Sequence, residues 1–365
     1  MADKFLVIDG SSLIHRAFFA LPPLTTQSGV HTGAVYGFCN MLLRLLADVQ
    51  PKWLAGAFDK SRKTFRTEMF ADYKGQRKPT PSELSEQFPL ARKVLEAMNI
   101  AVLELDNYEA DDIIGTFAVH APQEADVIIV TGDRDELQLL SSRTSVYFTK
   151  RGISDLKIYT PEVFAEEYEG LEPKQLIDLK GLMGDTSDNI PGIPGVGPKT
   201  ALKLIGEYGS VENVLANADK ISGKALREKV QNNKESALLS KKLATIFTDV
   251  PVDADLANYE LKALKPEARE LLAGLEFRNM YDRFNAVMGA LEGDFSLFGD
   301  FVEDKPAGLP EEVVKSADDA EALFKLIAVR REVTPLAVQV SGELPDLYFK
   351  RAELLCDGRV YIFEG

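Results

Sequence analysis

The stretch Asp126-Val127-Ile128-Ile129-Val130-Thr131-Gly132-Asp133-Arg134-Asp135 decides the fold class. Its nearly continuous apolar run reads as a strand covered on both faces, as in parallel sheets, and it runs out through glycine into two carboxylates. The pattern recurs along the chain. Phe5-Leu6-Val7-Ile8 ends in Asp9, and Trp53-Leu54-Ala55-Gly56-Ala57-Phe58 ends in Asp59. Ala101-Val102-Leu103-Glu104-Leu105 is soon followed by Glu109-Ala110-Asp111-Asp112. In open α/β sheets, ligands bind in the crevice beyond the carboxyl ends of the strands. Carboxylates gathered there would repel one another unless a cation joined them, and a divalent ion held through oxygen is the simplest remedy. The pattern predicts an α/β fold with a metal-dependent phosphate chemistry.

Composition sets outer bounds. The chain has 365 residues, 45% hydrophobic and 27% charged, which suits a soluble protein of two domains. No apolar run approaches membrane-spanning length, and Met1-Ala2-Asp3-Lys4 leads straight into a strand without a signal peptide. Two distant cysteines, Cys39 and Cys356, fit a reduced cytoplasmic protein, and no membrane partner is expected. The net charge of -15 argues against a nucleic-acid partner until its distribution is examined. Between Lys60 and Lys78 there are seven basic residues against two acids, and between Lys199 and Lys242 nine against five. Basic patches beside an acidic pocket suit a polyanion that must approach bound metal.

Strands and helices alternate through the first half, with helices expected from about Thr32 to Val49, Glu83 to Met98, Glu109 to His120 and Arg134 to Leu140. The roughly forty residues between Asp59 and Ile100 are too many for a simple crossover and so read as a functional insertion. From Pro161 onward the pattern turns helical: Pro173–Met183, Lys199–Tyr208, Val211–Ala216, Gly223–Asn232 and Lys234–Thr245. A linker rich in Gly, Asp, Glu and Pro is expected at 291–310.

Nine carboxylates carry the expected chemistry: Asp9, Asp59, Glu109, Asp111, Asp112, Asp133, Asp135, Asp185 and Asp188. Singly, each has an ordinary explanation as a helix-end charge, an Asx loop residue or a turn. Jointly those explanations fail, because independent caps need not fall at the same end of successive strands. Asp133-x-Asp135 and Asp185-x-x-Asp188 also bring pairs within reach of one ion. The three histidines, His15, His31 and His120, form no zinc or triad pattern, with His15 read as packing and His120 as surface. A water activated by metal is therefore the expected nucleophile, and Mg2+ or Mn2+ suits an all-oxygen site. In the insertion, Lys74 and Arg77 stand one turn apart and could meet a phosphate. Tyr73 could stack on a base or merely pack, and Arg66 is the lesser phosphate candidate. Gly192-Ile193-Pro194-Gly195-Val196-Gly197-Pro198-Lys199-Thr200 almost spells a nucleotide-binding loop, but Pro198 interrupts it and no strand precedes it. It reads instead as a hairpin between helices. The backbone of Gly195 and Gly197, with Lys199, Thr200 and Lys203, would hold a DNA phosphate there without reading sequence.

Asp9-Gly10, Phe58-Asp59, Tyr73-Lys74, Tyr108-Glu109-Ala110-Asp111-Asp112, Thr131-Gly132-Asp133-Arg134-Asp135 and Gly184-Asp185-Thr186-Ser187-Asp188-Asn189-Ile190-Pro191-Gly192 resemble the 5′-nuclease family in the family's own order. More narrowly, they resemble the N-terminal 5′→3′ exonuclease domain of bacterial DNA polymerases. The likeness covers residues 1–290. It implies a PIN-like α/β core over 1–185 with a helical arch over 60–98, and a helix-hairpin-helix subdomain over 186–290. It further implies a first metal site of Asp9, Asp59, Glu109, Asp111, Asp112 and Asp133, and a second of Asp135, Asp185 and Asp188 shared with Asp133. Lys74 and Arg77 would steer the scissile phosphate. A potassium ion would sit in the hairpin loop around Gly192–Val196. Implied partners are nicked or branched duplex DNA with a 5′ single strand of DNA or RNA primer, and the polymerase part of a longer chain, with the protein itself a monomer.

Residues 311–365 resemble the start of a 3′→5′ exonuclease-like domain. Gln339 and Ser341 stand where proofreading relatives carry Asp-x-Glu, which implies an inactive site in a truncated domain. The competing expectation is a non-catalytic helix-hairpin-helix DNA-binding module, which has no need of nine clustered acids. A nucleotide hydrolase built on the Gly192–Thr200 loop is a further alternative.

Overall fold

The structure, a computed structural model, describes residues 2–150 and 155–291 in full. Beyond them it describes the backbone strands 311–314, 333–341, 348–356 and 359–364. From residue 292 on, the expected linker lies outside the described residues.

Six strands form the central sheet: β1 (Asp3–Asp9), β2 (Trp53–Ala57), β3 (Ala101–Leu103), β4 (Ala125–Thr131), β5 (Thr144–Thr149) and β6 (Leu156–Tyr159). Their order is β3-β2-β1-β4-β5-β6, all parallel except β6, which pairs antiparallel with β5. The chain winds outward from β1 to β3, then restarts at β4 on the other side of β1. The switch point thus lies between β1 and β4, where an open α/β sheet forms its ligand crevice.

The pleat decides which side chains reach that crevice. Phe5 and Val7 of β1 enter one core cluster and Leu6 and Ile8 the other. Val127 and Ile129 of β4 likewise share the first cluster, and Ile128 and Val130 the second. With a period of two, Asp9 and Thr131 continue the Phe5 face, and Asp59 continues the face of Trp53, Ala55 and Ala57. The strand-end polar residues therefore emerge on one side of the sheet.

The helices cover both faces. α1 (Gly10–Ala20) and α2 (Gly33–Val49) pack on the Leu6 face. The short α3 (Phe65–Met69) and α4 (Ser82–Ser85) precede α5 (Gln87–Ala97), which buries Ala91, Val94 and Leu95 on that same face. The expected arch over 60–98 is thus narrower, because α5 is a core helix. On the Phe5 face, α6 (Ala110–His120) contributes Ile113, Ile114 and Phe117. After α7 (Pro161–Glu167), the helices α8 (Leu176–Met183), α9 (Pro198–Tyr208), α10 (Val211–Ala216), α11 (Lys224–Asn232) and α12 (Lys234–Ala244) extend that core. α13 (Glu267–Gly274) and α14 (Met280–Leu291) return to the opposite face, where Leu272, Phe277, Phe284 and Met288 pack with α2 and α5. The subdomain expected over 186–290 therefore divides, because its last two helices carry apolar stripes that only the second core can bury.

The C-terminal strands β7 (Glu311–Val314), β8 (Val333–Ser341), β9 (Tyr348–Cys356) and β10 (Arg359–Glu364) form a separate sheet in the order β7-β10-β9-β8. Gln339 and Ser341 fall in β8.

Candidate metal centre and nucleic-acid interface

Asp9 closes β1 and caps α1: its Oδ1 accepts from Ser12 N at 2.9 Å and its Oδ2 from Thr131 Oγ1 at 3.0 Å. The helix can start immediately because residue 10 is glycine. A Cβ there would lie 2.2 Å from the Phe58 ring at the end of β2. Asp59 accepts from Ala110 N at 2.9 Å, which ties the end of β2 to the start of α6. Asp133 accepts from Asp135 N at 2.9 Å in the turn after β4. The ordinary capping and Asx roles are therefore real, and they leave lone pairs on each carboxylate for a second partner.

Asp9, Asp111 and Glu136 each offer an oxygen, and the three lie within 4.8 Å of one another. Burial drives these groups toward their neutral forms. Asp9 is pushed up to about 7 by burial, with Asp59 and Asp133 adding to the rise. Asp111 and Glu136 are raised well above the carboxylate range by burial and by their acidic neighbours. Such an arrangement is stable with ionised groups only if positive charge enters it.

Lys180 answers part of that demand at one edge. Its ammonium bonds Asp135, and bonds Asp185 at 2.5 Å. Burial opposes its charge, but those two acids outweigh burial and hold it protonated. Asp135 is still pushed up to about 7 by burial and by Asp133. Asp185 and Asp188 sit in a tight loop after α8. At its head Gly184 adopts a φ of +73°, and a Cβ would lie 2.5 Å from the Ile190 carbonyl. The backbone bridge between Asp185 and Ile190 closes that loop.

The basic insertion lies over these acids. Lys74 Nζ is 3.0 Å from Glu109 and 3.8 Å from Asp188, and Arg77 Nη2 bonds Asp188 at 2.5 Å. Backbone bonds fix the position, with Lys74 N donating to the Asp188 carbonyl and Asn189 Nδ2 to the Asp72 carbonyl. Burial works against the Lys74 charge, yet Glu109, Tyr73 and Asp188 raise it above its ordinary range. Arg77 is the more exposed of the two.

The hairpin between α8 and α9 matches expectation in form. Gly192 N donates to Ser240 Oγ, and the Gly192 carbonyl accepts from Ser236, so α12 pins the loop. Gly195, Gly197, Lys199 and Lys203 are exposed, and Thr200 is half-buried at the first turn of α9. A helix, not a strand, precedes the loop, which removes the context a triphosphate-binding loop requires. The Gly195 carbonyl accepts from the Lys229 ammonium at 3.3 Å.

Known proteins supply the lineage. The N-terminal resolvase-like domain of 5′-3′ exonucleases matches residues 4–169, and their C-terminal SAM-fold domain matches residues 171–267. The chain belongs to the 5′-3′ exonuclease family. It is 53% identical over 276 residues to a DNA polymerase I of Bacillus caldotenax, covering 75% of this chain and 31% of that protein. It is 47% identical over 296 residues to that of Bacillus subtilis, covering 80% and 34%. The chain thus spans about a third of the length of these curated relatives. A flap endonuclease of bacteriophage T5, solved as a pseudo-enzyme-product complex with DNA and metal ions, shares the fold. Its TM-score is 0.56 at 19% identity, covering 80% of this chain and 99% of that one.

Three expectations for this exonuclease need correction. Asp112 is fully buried, and its carboxylate is consumed by Arg66 at 2.7 and 2.8 Å and by the Phe247 and Glu109 amides. No lone pair there faces the pocket, so Asp112 is a structural anchor rather than a metal ligand. Arg66 is correspondingly not a DNA contact. It is 2% exposed, and its remaining protons go to the Leu243 and Thr245 carbonyls and, at 3.4 Å, to Glu109. Tyr73 does not present its ring for stacking either, being buried against Ile190 and Leu243 with its hydroxyl toward Glu109 and Asp188. The sequence reading also missed Glu136 and Lys180. Lys180 had a signal, since it stands five residues before Asp185 on α8. Glu136 had none beyond its place after Asp135.

Proposed function

We propose that this nuclease hydrolyses phosphodiester bonds at or near the 5′ end of nicked or branched duplex DNA, including flaps and RNA primers. One observation carries the reading: oxygens of Asp9, Asp111 and Glu136 lie within 4.8 Å of one another, and Lys74 and Arg77 pair with the further acids Glu109 and Asp188. The donors are oxygen only, and the unpartnered oxygens of Glu136 lie among them, which fits Mg2+ or Mn2+. Asp9, Asp59, Glu109, Asp111 and Asp133 would hold one ion, and Asp135, Asp185 and Asp188, near Asp133, a second. When bound, such ions lower the pKa of an attacking water and stabilise the leaving oxygen of an in-line displacement.

The chain's own groups do the rest. Lys74 and Arg77 would exchange part of their pairing with Glu109 and Asp188 for the scissile phosphate, offsetting its developing charge. The buried floor at Asp9 and Glu136 keeps bulk water from screening those charges. Lys180 holds Asp135 and Asp185 in fixed positions until a cation shares them. The exposed N-terminus of α9, with Lys199 and Lys203, would grip a duplex backbone without base readout. A potassium ion would join the hairpin loop only with Lys229 withdrawn from Gly195.

By kinship with the polymerase relatives, the products would be a 5′-phosphate and a 3′-hydroxyl. The cellular role would be primer removal and excision repair, performed in the cytoplasm by a monomeric chain carrying a polymerase part. The test is cleavage of a labelled 5′-flap duplex by the native chain and by Asp133→Asn, with Mg2+ titrated. Cleavage should fall by at least about 100-fold with flap binding retained. Equal cleavage by both proteins, or indifference to chelator, would overturn the reading.

A further inference from the structure

We infer that Glu136 is an additional ligand of the cation held between Asp9 and Asp111, an assignment that rests on the metal-dependent reading above. Glu136 lies in the short 3-10 turn Asp135–Leu139 that follows β4. Asp135, its neighbour, turns toward Lys180 and the loop acids, whereas Glu136 turns inward and is 0% exposed. Neither of its carboxylate oxygens has a hydrogen-bond partner. The nearby Thr131 hydroxyl eases it only slightly, because its one proton is directed at Asp9 Oδ2 at 3.0 Å. A buried acid without a donor is among the least favourable arrangements a fold can hold, and here two more acids stand beside it.

The geometry explains why the fold keeps it. Oxygens of Glu136, Asp9 and Asp111 fall within 4.8 Å of one another, close to the span of ligand oxygens around one divalent ion, about 3 to 5 Å. Asp111 enters from the first turn of α6, Asp9 from β1 and Glu136 from the turn after β4. Three separate elements thus converge on one point at the switch between β1 and β4. A carboxyl meant only to fill space would be better served by leucine, as Leu137 and Leu140 beside it show by packing into the core. The ion would then have an inward anchor as well as the outward acids that face substrate.

The test is Mn2+ binding to the DNA-free protein, followed by the loss of the free-ion paramagnetic resonance signal. Native protein is compared with Glu136→Gln, Glu136→Leu and, as a reference, Asp9→Asn. Both Glu136 variants should bind Mn2+ about tenfold more weakly or worse, and the rise in unfolding temperature on adding Mn2+ should shrink. In chelator the same variants should unfold at or above the native temperature, because an unpartnered buried acid has been removed. Glu136→Gln keeps shape and volume, so it carries the test should the leucine variant fold poorly. Native affinity for Mn2+ in Glu136→Gln, with Asp9→Asn weakened, would overturn this inference and leave the metal-dependent reading standing. Absence of Mn2+ binding by the native protein would overturn both.

Discussion

Replacing Arg66 by methionine tests the most consequential correction. The guanidinium donates two bonds to Asp112, at 2.8 and 2.7 Å, and reaches the Leu243 and Thr245 carbonyls at 3.1 and 2.9 Å. It thereby ties the insertion, α6 and the end of α12 together across more than a hundred residues of chain. Methionine fills much of the volume but leaves Asp112 as a fully buried carboxylate whose only donors are the Phe247 and Glu109 amides. Breaking a buried pair by removing one member costs about 3 to 5 kcal/mol, since the surviving charge keeps its desolvation penalty. Urea unfolding followed by circular dichroism should show that loss as a lower midpoint with an unchanged slope. The double variant Arg66→Met/Asp112→Leu should recover most of it, remaining about 1 to 2 kcal/mol below native because the Glu109 amide at the start of α6 and the Phe247 amide both lose their acceptor. A single variant within about 1 kcal/mol of native, with weakened affinity for flap DNA, would refute the reasoning and restore Arg66 as a phosphate contact.

Other consequences can be checked in parallel. Lys74→Ala should lower flap cleavage by about 100- to 1,000-fold with little loss of binding, measured in single-turnover reactions. Lys199→Glu should weaken binding to duplexes of any sequence and reduce the slope of log affinity against log salt by about 1, read by fluorescence anisotropy. The metal-free protein should lose stability as pH rises from about 4 to about 7. Asp9 and Asp135, raised to about 7 by burial, hold protons in the fold that the unfolded chain has already released near its ordinary pKa of about 4. Chemical unfolding in chelator at stepped pH would show this fall, and saturating Mg2+ should flatten it, because bound cation replaces the protons.

The sequence by itself determined which end of the sheet carries the chemistry. Apolar runs such as Phe5–Ile8 and Val127–Val130 specify strands buried on both faces, and a period of two sends Asp9, Thr131 and Asp59 to the face covered by α6. Order and spacing were enough to put Asp9, Asp59 and Asp133 just beyond the strand ends and to read the 192–200 segment as a hairpin. Tertiary structure alone decided which charges remain available. Arg66 and Asp112 are 46 residues apart, and Lys180 and Asp135 are 45 apart, so no local pattern marks either pair. Tyr73 could have stacked on a base or packed, and Ile190 and Leu243 decide for packing; Glu136 drew no attention in the sequence, and its turn aims it inward. The physical reason is one of range. Backbone periodicity is a local property that fixes the direction of each side chain, whereas pairing and desolvation depend on elements the chain brings together only when folded.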